Sequence, residues 1–371
     1  MKLTIERSAL LKSLGHVQNV VERRNTIPIL SNVKMAGMDG VLSLNATDMD
    51  LDIAESVAAE IAVAGETTAP AHTLYDIVRK LPEGSQVELE TSEDNSLTLR
   101  AGRSRFTLSC LPTADFPVMA GGELPQEFRL SAGELRALID RTKFAISTEE
   151  TRYYLNGIYL HVAEREGVDV LRAVATDGHR LASVEVPLPE GASGMPGVIL
   201  PRKTVTELRK LIDEIGDDVT IALSETKIRF SFDDAVMSSK LIDGTFPDYA
   251  RVIPSDNDKI LDVQCKPFAE AVDRVSAIST EKSRAVKLAV GGNNLVLSAN
   301  SPDNGSASEE IEVAYAAEAI EIGFNSRYLL DITQQIEGDT AQFVMSDSAS
   351  PTIVREVGDT SALYVLMPMR V

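Results

Sequence analysis

The chain has 371 residues, which at roughly 150 residues per domain allows two or three cores. Hydrophobic residues make up 44% and charged residues 25%, which excludes a disordered, collagen-like or low-complexity chain. Lys and Arg number 36 against 56 Asp and Glu, a net charge of −20, so binding of nucleic acid by bulk charge is excluded and any contact with a polyanion has to be local.

Chain order shows one pattern three times, starting near Leu3, Phe128 and Leu261. The first unit opens with a short strand and a helix over 6–24, whose Leu10, Leu11, Leu14 and Val17 fall on one face. A strand over 41–46 follows, then a helix within APAHTLYDIVRKL with Leu74, Ile77, Val78 and Leu81 inward, then strand-like runs over 87–90 and 97–108. The second unit repeats this with a helix over 131–145, announced by the capping-box pair Ser131 and Glu134. Its strand spans 168–176, its second helix 202–214, and its closing runs 219–223 and 227–241. The third has helices over 266–284 and 325–337, a strand over 294–299, and closing runs over 341–345 and 363–367. Units one and two end in the related phrases TADFP and DGTFP, followed by stretches that make poor helix or strand, which sets boundaries near 122 and 256. The expected fold class is α+β with three repeated domains, 1–122, 123–256 and 257–371.

The six helix segments hold 18 Lys or Arg and 14 Asp or Glu, a charge of +4, and the rest of the chain carries −24. An acidic chain has gathered its positive charge on its helices.

The phrases RYYLNG (152–157), ATDGHRL (175–181), FPDYARV (246–252) and YVLMPMRV (364–371) resemble the β subunit of bacterial DNA polymerase III, the sliding clamps. The resemblance spans all three repeats. It implies the DNA-clamp fold, with helices lining a bore and antiparallel sheets outside, in a ring-shaped homodimer. Twelve helices about 10 Å apart leave a bore of about 28 Å, and six leave only about 9 Å, so two chains are needed to pass a duplex wider than about 16 Å. A basic lining faces phosphates without holding any register, so retention comes from topology.

By that resemblance, Arg24, Arg79, Tyr153, Tyr154, Arg202 and Lys203 approach sequence-independent duplex DNA. A partner-peptide cleft would comprise Leu155, Thr176, Gly178, His179, Arg180, Leu181, Pro247, Arg251, Val252, Val365, Met367, Pro368, Met369 and Arg370, with arginines as donors at its rim. The dimer interface would set Phe106 and Leu108 against Ala277 and Ile278, and Arg103 and Arg105 against Asp303, Glu309 and Glu310. The implied partners are a second copy, a clamp loader, the polymerase III α subunit and other proteins bearing a clamp-binding motif.

An enzyme is not expected. Asp177, His179 and Arg180 suggest acid–base chemistry, yet nothing supplies a nucleophile or second base, and a loop histidine satisfied by its neighbours is the simpler account. Asp48, Asp50 and Asp52 have the spacing of a calcium loop, but Ile53 stands where Gly is needed and Ala59 where Glu is needed, so a solvated strand face is expected. No GxGxxG or GxxxxGK[ST] occurs, and Cys110 and Cys265 have no CxxC companion, so neither cofactor, metal nor disulfide is expected. Glu6 and Arg7 interrupt any signal-like start and no apolar run approaches a membrane span, so the expected location is the cytoplasm. A hydrolase using His179 and a scaffold that displays grooves without encircling DNA are the other two classes.

Overall fold

The structure, a computed structural model, describes residues 1–119, 121–213, 218–279 and 284–370. Residue 214 and residues 280–283 of the expected helices, and Val371 of the terminal phrase, lie outside the described residues. Six α-helices are described, two per repeat: α1 (Arg7–Gln18), α2 (Ala71–Lys80), α3 (Ala132–Asp140), α4 (Arg202–Asp213), α5 (Cys265–Ser276) and α6 (Ser326–Thr333).

The helices begin where sequence chemistry starts them and end sooner than periodicity suggests. The Glu6 side chain accepts from the Ala9 amide at 3.0 Å to open α1. Asn19 Nδ2 donates to the Gly15 carbonyl at 2.8 Å and stops α1 at Gln18, leaving Arg23 and Arg24 in the following turn. Ser131 and Glu134 form the expected reciprocal cap, with the Glu134 amide donating to Ser131 Oγ at 3.2 Å and the Ser131 amide to Glu134 Oε2 at 3.1 Å. Instead of running to 145, α3 stops at Asp140; Thr142 Oγ1 bonds back to the Leu138 carbonyl at 2.5 Å, and a 3-10 turn takes Lys143–Ala145.

Two runs expected as single strands are hairpins. Ser96–Ala101 pairs with Ser104–Ser109 around Gly102, whose φ of +56° suits glycine, and Lys227–Ser231 pairs with Ala235–Lys240. Strands Leu51–Ala58, Arg180–Pro187 and Gly305–Glu312 were not expected; they complete each repeat.

The chain divides into two compact units, and the division runs through the second repeat. The first unit comprises Met1–Leu135, Pro189–Pro196 and Lys203–Leu241. It holds a five-stranded sheet and an eight-stranded sheet, the latter joined across the repeat boundary where Ala235–Lys240 pairs antiparallel with Leu51–Ala58. The second unit comprises Arg136–Leu188, Gly197–Arg202 and Ile242–Val371. Its nine-stranded sheet is joined in the same way, by Arg180–Pro187 against Ala362–Leu366, and a four-stranded sheet completes it.

Register shows that the two junctions are one construction used twice. In the first unit the residues opposite one another run Phe128, Ile221, Phe230, Met237, Ile53, Ala46, and on the next two strands Val33 stands opposite Ala69. In the second they run Leu261, Phe343, Val354, Tyr364, Ala182, Ala175, and on the next two strands Ile158 stands opposite Leu200. All sixteen are buried, so each sheet carries an apolar rib across its junction. Two half-rows remain. Leu3, Leu89, Leu99 and Phe106 end at the open edge strand Ser104–Ser109, and at the open edge strand Gly305–Glu312 Ala307 stands opposite Ala299, with Val286 opposite Phe324 on the next two strands. Their inner members are buried; Phe106 and Ala307 alone are half-exposed.

Candidate functional site

Within the second unit, distant segments meet on the nine-stranded sheet. Leu155, Leu181 and Val365 join Val174, Ile199 and Phe246 in one buried cluster, against which Tyr154, Tyr159, Ile242, Tyr249, Ile253 and Leu363 pack. Thr176 Oγ1 donates to the Arg180 carbonyl at 2.7 Å and accepts from the Gly178 amide at 3.1 Å, closing the loop between two strands. Gly178 sits at φ +86°, which favours glycine, and a Cβ there would meet only the mobile tip of the Arg152 side chain. The Met367 amide donates to the His179 carbonyl at 2.9 Å, setting the exposed Met367 beside the exposed His179. Pro247, Arg251 and Val252 are exposed on the linker and its short turn Tyr249–Val252. Of the expected cleft residues, Leu155, Leu181 and Val365 thus share one buried apolar cluster, the exposed His179 and Met367 are joined through their backbones, and the exposed Val252 ends the turn whose Tyr249 packs on that cluster.

Two expectations change. Arg180 is not a rim donor: it is buried, with Nε on Asp177 Oδ2 (3.1 Å), Nη1 on Asp331 Oδ2 (2.5 Å) and Nη2 on the Phe144 carbonyl (2.7 Å). Its guanidinium also lies over the Tyr328 and Phe144 rings at 4.3 and 5.0 Å. All three nitrogens are engaged inside the fold, and Arg251, which is exposed and paired with Asp248 at 2.7 Å, is left at the rim. Met369 and Arg370 lie farther on, where the Met369 amide donates to the Gly323 carbonyl at 2.8 Å, and they line a groove of about 820 Å3 with Lys287, Asn300 and Glu321.

On the helical side, Arg24 and Arg202 are exposed, and Arg79 is exposed with Nη2 on Asp76 at 3.1 Å. Tyr153 is exposed and Tyr154 half-buried, their rings edge to face at 5.7 Å. Lys203 is committed: its ammonium donates to the Val20 carbonyl (2.9 Å), Asp48 Oδ2 (2.6 Å) and Glu22. Burial alone would lower its pKa, but the bonds to Asp48 and Glu22 outweigh that and hold it above the ordinary lysine value.

The acidic triplet takes three separate tasks. Asp48 Oδ1 caps the Asp50 and Leu51 amides at 2.9 and 2.7 Å, Asp50 pairs with Lys240 at 2.8 Å, and Asp52 accepts from Asn45 at 3.3 Å. Contrary to the solvated face expected, burial pushes the Asp52 carboxyl up from its ordinary value. Asp177 likewise accepts from the His179 and Arg180 amides, both at 3.0 Å, and serves as a turn cap.

At the open edges, Phe106 and Leu108 are half-buried, with Arg103 and Arg105 exposed beside them. Ala277 and Ile278 follow the end of α5, and Asn304 Nδ2 reaches the Ile278 carbonyl at 3.3 Å. Asp303 and Glu310 are exposed, while Glu309 is gripped by Arg274 Nε (3.0 Å) and Nη2 (2.6 Å), which holds its carboxyl below the ordinary range.

Phe144, Tyr328 and Asp331, which clamp Arg180, were missed by sequence reasoning because nothing local marks the meeting of the turn after α3, the strand that starts at Arg180 and α6 of the next repeat. Phe246 could have been found, since it stands in the phrase shared with TADFP, whose Phe116 packs on Ile29 and Leu30 in the same way.

Three family models match in succession: the N-terminal, central and C-terminal domains of the DNA polymerase III beta subunit, over residues 1–120, 129–248 and 250–370. The chain is 56% identical to the beta sliding clamp of Caulobacter vibrioides over 372 residues and 39% identical to that of Escherichia coli K12 over 371, covering all of both chains each time. Among solved structures it is similar to a sliding clamp from Bartonella birtlesii bound to griselimycin (TM-score 0.97, 53% identity) and to one from Caulobacter crescentus (TM-score 0.94, 56% identity), each covered in full by the whole of this chain. No helix among the described residues is long and apolar enough to cross a membrane. The chain therefore belongs to the DNA polymerase III beta subunit family.

Proposed function

We propose that this chain is a DNA sliding clamp: two copies close head to tail around duplex DNA and tether a replicative polymerase by a peptide seated in a cleft over the apolar cluster of Leu155, Leu181 and Val365, beside the exposed Met367. The family is non-catalytic, and so is this chain. The observation that carries the reading is the pair of unfinished ribs. Two intrachain junctions each carry a buried apolar rib from one repeat into the next, and the two remaining half-rows end on open strands, one in the first repeat and one in the third. Copying the register of the intrachain junctions sets Phe106 of one copy opposite Ala307 of the other, Ser104 opposite Glu309 and Leu108 opposite Gly305. Three domains per chain, 1–122, 123–256 and 257–371, then give six equivalent junctions in a closed ring.

Arg24, Arg79, Arg202, Tyr153 and Tyr154 would meet the duplex without reading its sequence. Lys203 would act indirectly, by tying α4 to the turn after α1. Within the cleft Arg180 fixes the architecture, and Arg251 supplies charge at its margin. The clamp loader, the polymerase α subunit and other motif-bearing proteins would share this site in the cytoplasm.

The test is retention. Loaded protein should withstand high salt on a closed DNA circle and be lost once the circle is cut, whereas binding to short linear duplex should be weak and salt-sensitive. Equal loss from circular and linear DNA would leave a scaffold that does not encircle.

A further inference from the structure

We propose that Tyr249 is the positioning residue for the linker wall of the cleft, held between His161 and Arg172, and that the protonation state of His161 thereby sets how well the cleft holds a peptide. This rests on the cleft reading above. His161, Arg172 and Glu185 stand opposite one another on three adjacent strands, Gly157–Arg165, Val168–Thr176 and Arg180–Pro187. Arg172 donates from Nε and Nη2 to Glu185 Oε2 at 3.0 and 2.8 Å, and Arg165 Nη1 takes Oε1 at 2.6 Å. Its remaining nitrogen, Nη1, donates to Tyr249 Oη at 3.2 Å. His161 Nε2 lies 3.0 Å from the same hydroxyl, and its Nδ1 lies 2.8 Å from the Val162 carbonyl.

These contacts fix the tautomer. A carbonyl only accepts, so Nδ1 carries the proton, and Nε2 is left to accept from Tyr249. The hydroxyl thus gives its proton to His161 and receives one from Arg172. Tyr249 opens the turn that bears Arg251 and Val252, two residues after Pro247. The other end of this wall is pinned by stacking: the Tyr159 ring lies against His161 at 4.5 Å on one side and Phe246 at 4.8 Å on the other.

A second proton on His161 turns Nε2 into a donor. The Tyr249 hydroxyl loses its acceptor, and a cation faces Arg172 within the stack, with Glu185 already occupied by Arg172 and Arg165. Burial holds the imidazole below its ordinary value of 6.5, with Arg172 acting in the same direction and the Val162 bond opposing. At neutral pH the network is therefore intact, and acid takes it apart.

The experiment measures fluorescence anisotropy of a labelled linear peptide with Leu and Phe anchors, from about pH 7.5 to about pH 5.5, across the range where an imidazole titrates. Wild-type affinity should fall roughly 3- to 10-fold over that span, the size of one lost hydrogen bond, and His161→Gln should give a flat profile. Tyr249→Phe should bind roughly 3- to 10-fold more weakly at neutral pH and show no further loss in acid. All three proteins keep every other side chain of the cleft, so the difference between their profiles isolates the His161–Tyr249 contact. Parallel profiles for wild type and His161→Gln, or wild-type affinity in Tyr249→Phe, would overturn the inference. No binding by wild type at neutral pH would overturn the cleft reading itself, and the inference with it.

Discussion

Replacing Phe106 with alanine strikes the one place where the buried ribs are left incomplete. The side chain is half-buried on the open strand Ser104–Ser109, and its counterparts at the two intrachain junctions, Met237 and Tyr364, are fully buried. Fully burying a large apolar side chain is worth about 1.5–3 kcal/mol, Phe106 has about half of that still to gain, and a head-to-tail dimer has two such contacts, so the variant should lose about 1.5–3 kcal/mol of association. That is roughly a 10- to 10²-fold weaker dimer. Sedimentation equilibrium over a dilution series reads it directly, as a shift of the monomer–dimer midpoint with unchanged circular dichroism. The register adds a sharper arm. Phe106→Cys combined with Ala307→Cys puts two cysteines directly opposite across an antiparallel pair, within disulfide reach, and should give a covalent species of twice the chain mass under oxidation. Phe106→Cys with Glu309→Cys is displaced by two residues and should not. A dimer indifferent to Phe106→Ala, or equal cross-linking by both cysteine pairs, would refute the junction-copying argument.

Deleting the chain from Met367 onward should leave the dimer intact and weaken peptide binding by at least about 10-fold, or about 1.4 kcal/mol, in fluorescence anisotropy, because it removes the segment that the His179 carbonyl holds. Lys203→Met should leave the salt dependence of linear-duplex binding unchanged, while Arg24→Ala should lower its slope by about 0.9, the value of one phosphate contact. Because the folded-state pKa of Lys203 is raised, its stabilising contribution is present in full below the ordinary 10.5 and is lost as pH rises through the folded value; alkaline thermal melts of wild type and Lys203→Met should therefore converge. Gly197→Ala places a Cβ 2.4 Å from the Tyr159 hydroxyl, so the ring must leave its stack, and the melting temperature should fall by several degrees, roughly 2–4 °C for each kcal/mol in a chain of this kind.

The threefold repeat was legible because its phase is set by burial: Leu3, Phe128 and Leu261 each begin an equivalent row of opposed residues. Helix faces were legible for the same reason. What periodicity could not show was where polar chemistry interrupts it, as when Asn19 closes α1 and Thr142 closes α3. Gly305–Glu312 was invisible as a strand because a sheet edge buries too little to leave an apolar alternation. The cleft's apolar residues could be named through their phrases, but the fate of its charges could not. Arg180 looks like any loop arginine until Asp331 and Tyr328 arrive from α6, and His161 gains meaning only from the register that puts it opposite Arg172.

Sharing of sheets across repeat boundaries also decides what can come apart. Strand Ala235–Lys240 belongs to the second repeat by sequence, yet its ladder is completed by Leu51–Ala58 of the first. Cooperative opening should therefore follow the composite sheets rather than the duplicated segments, so that amides of these two strands exchange hydrogen together and later than the edge strand Ser104–Ser109. Excising one repeat at its sequence boundary would strip the partner from strand Ala235–Lys240 and leave its edge unpaired, a template for aggregation. The duplication that built this chain left three copies of one motif, but the sheets that grew between them have made the junction, and not the copy, the piece that folds.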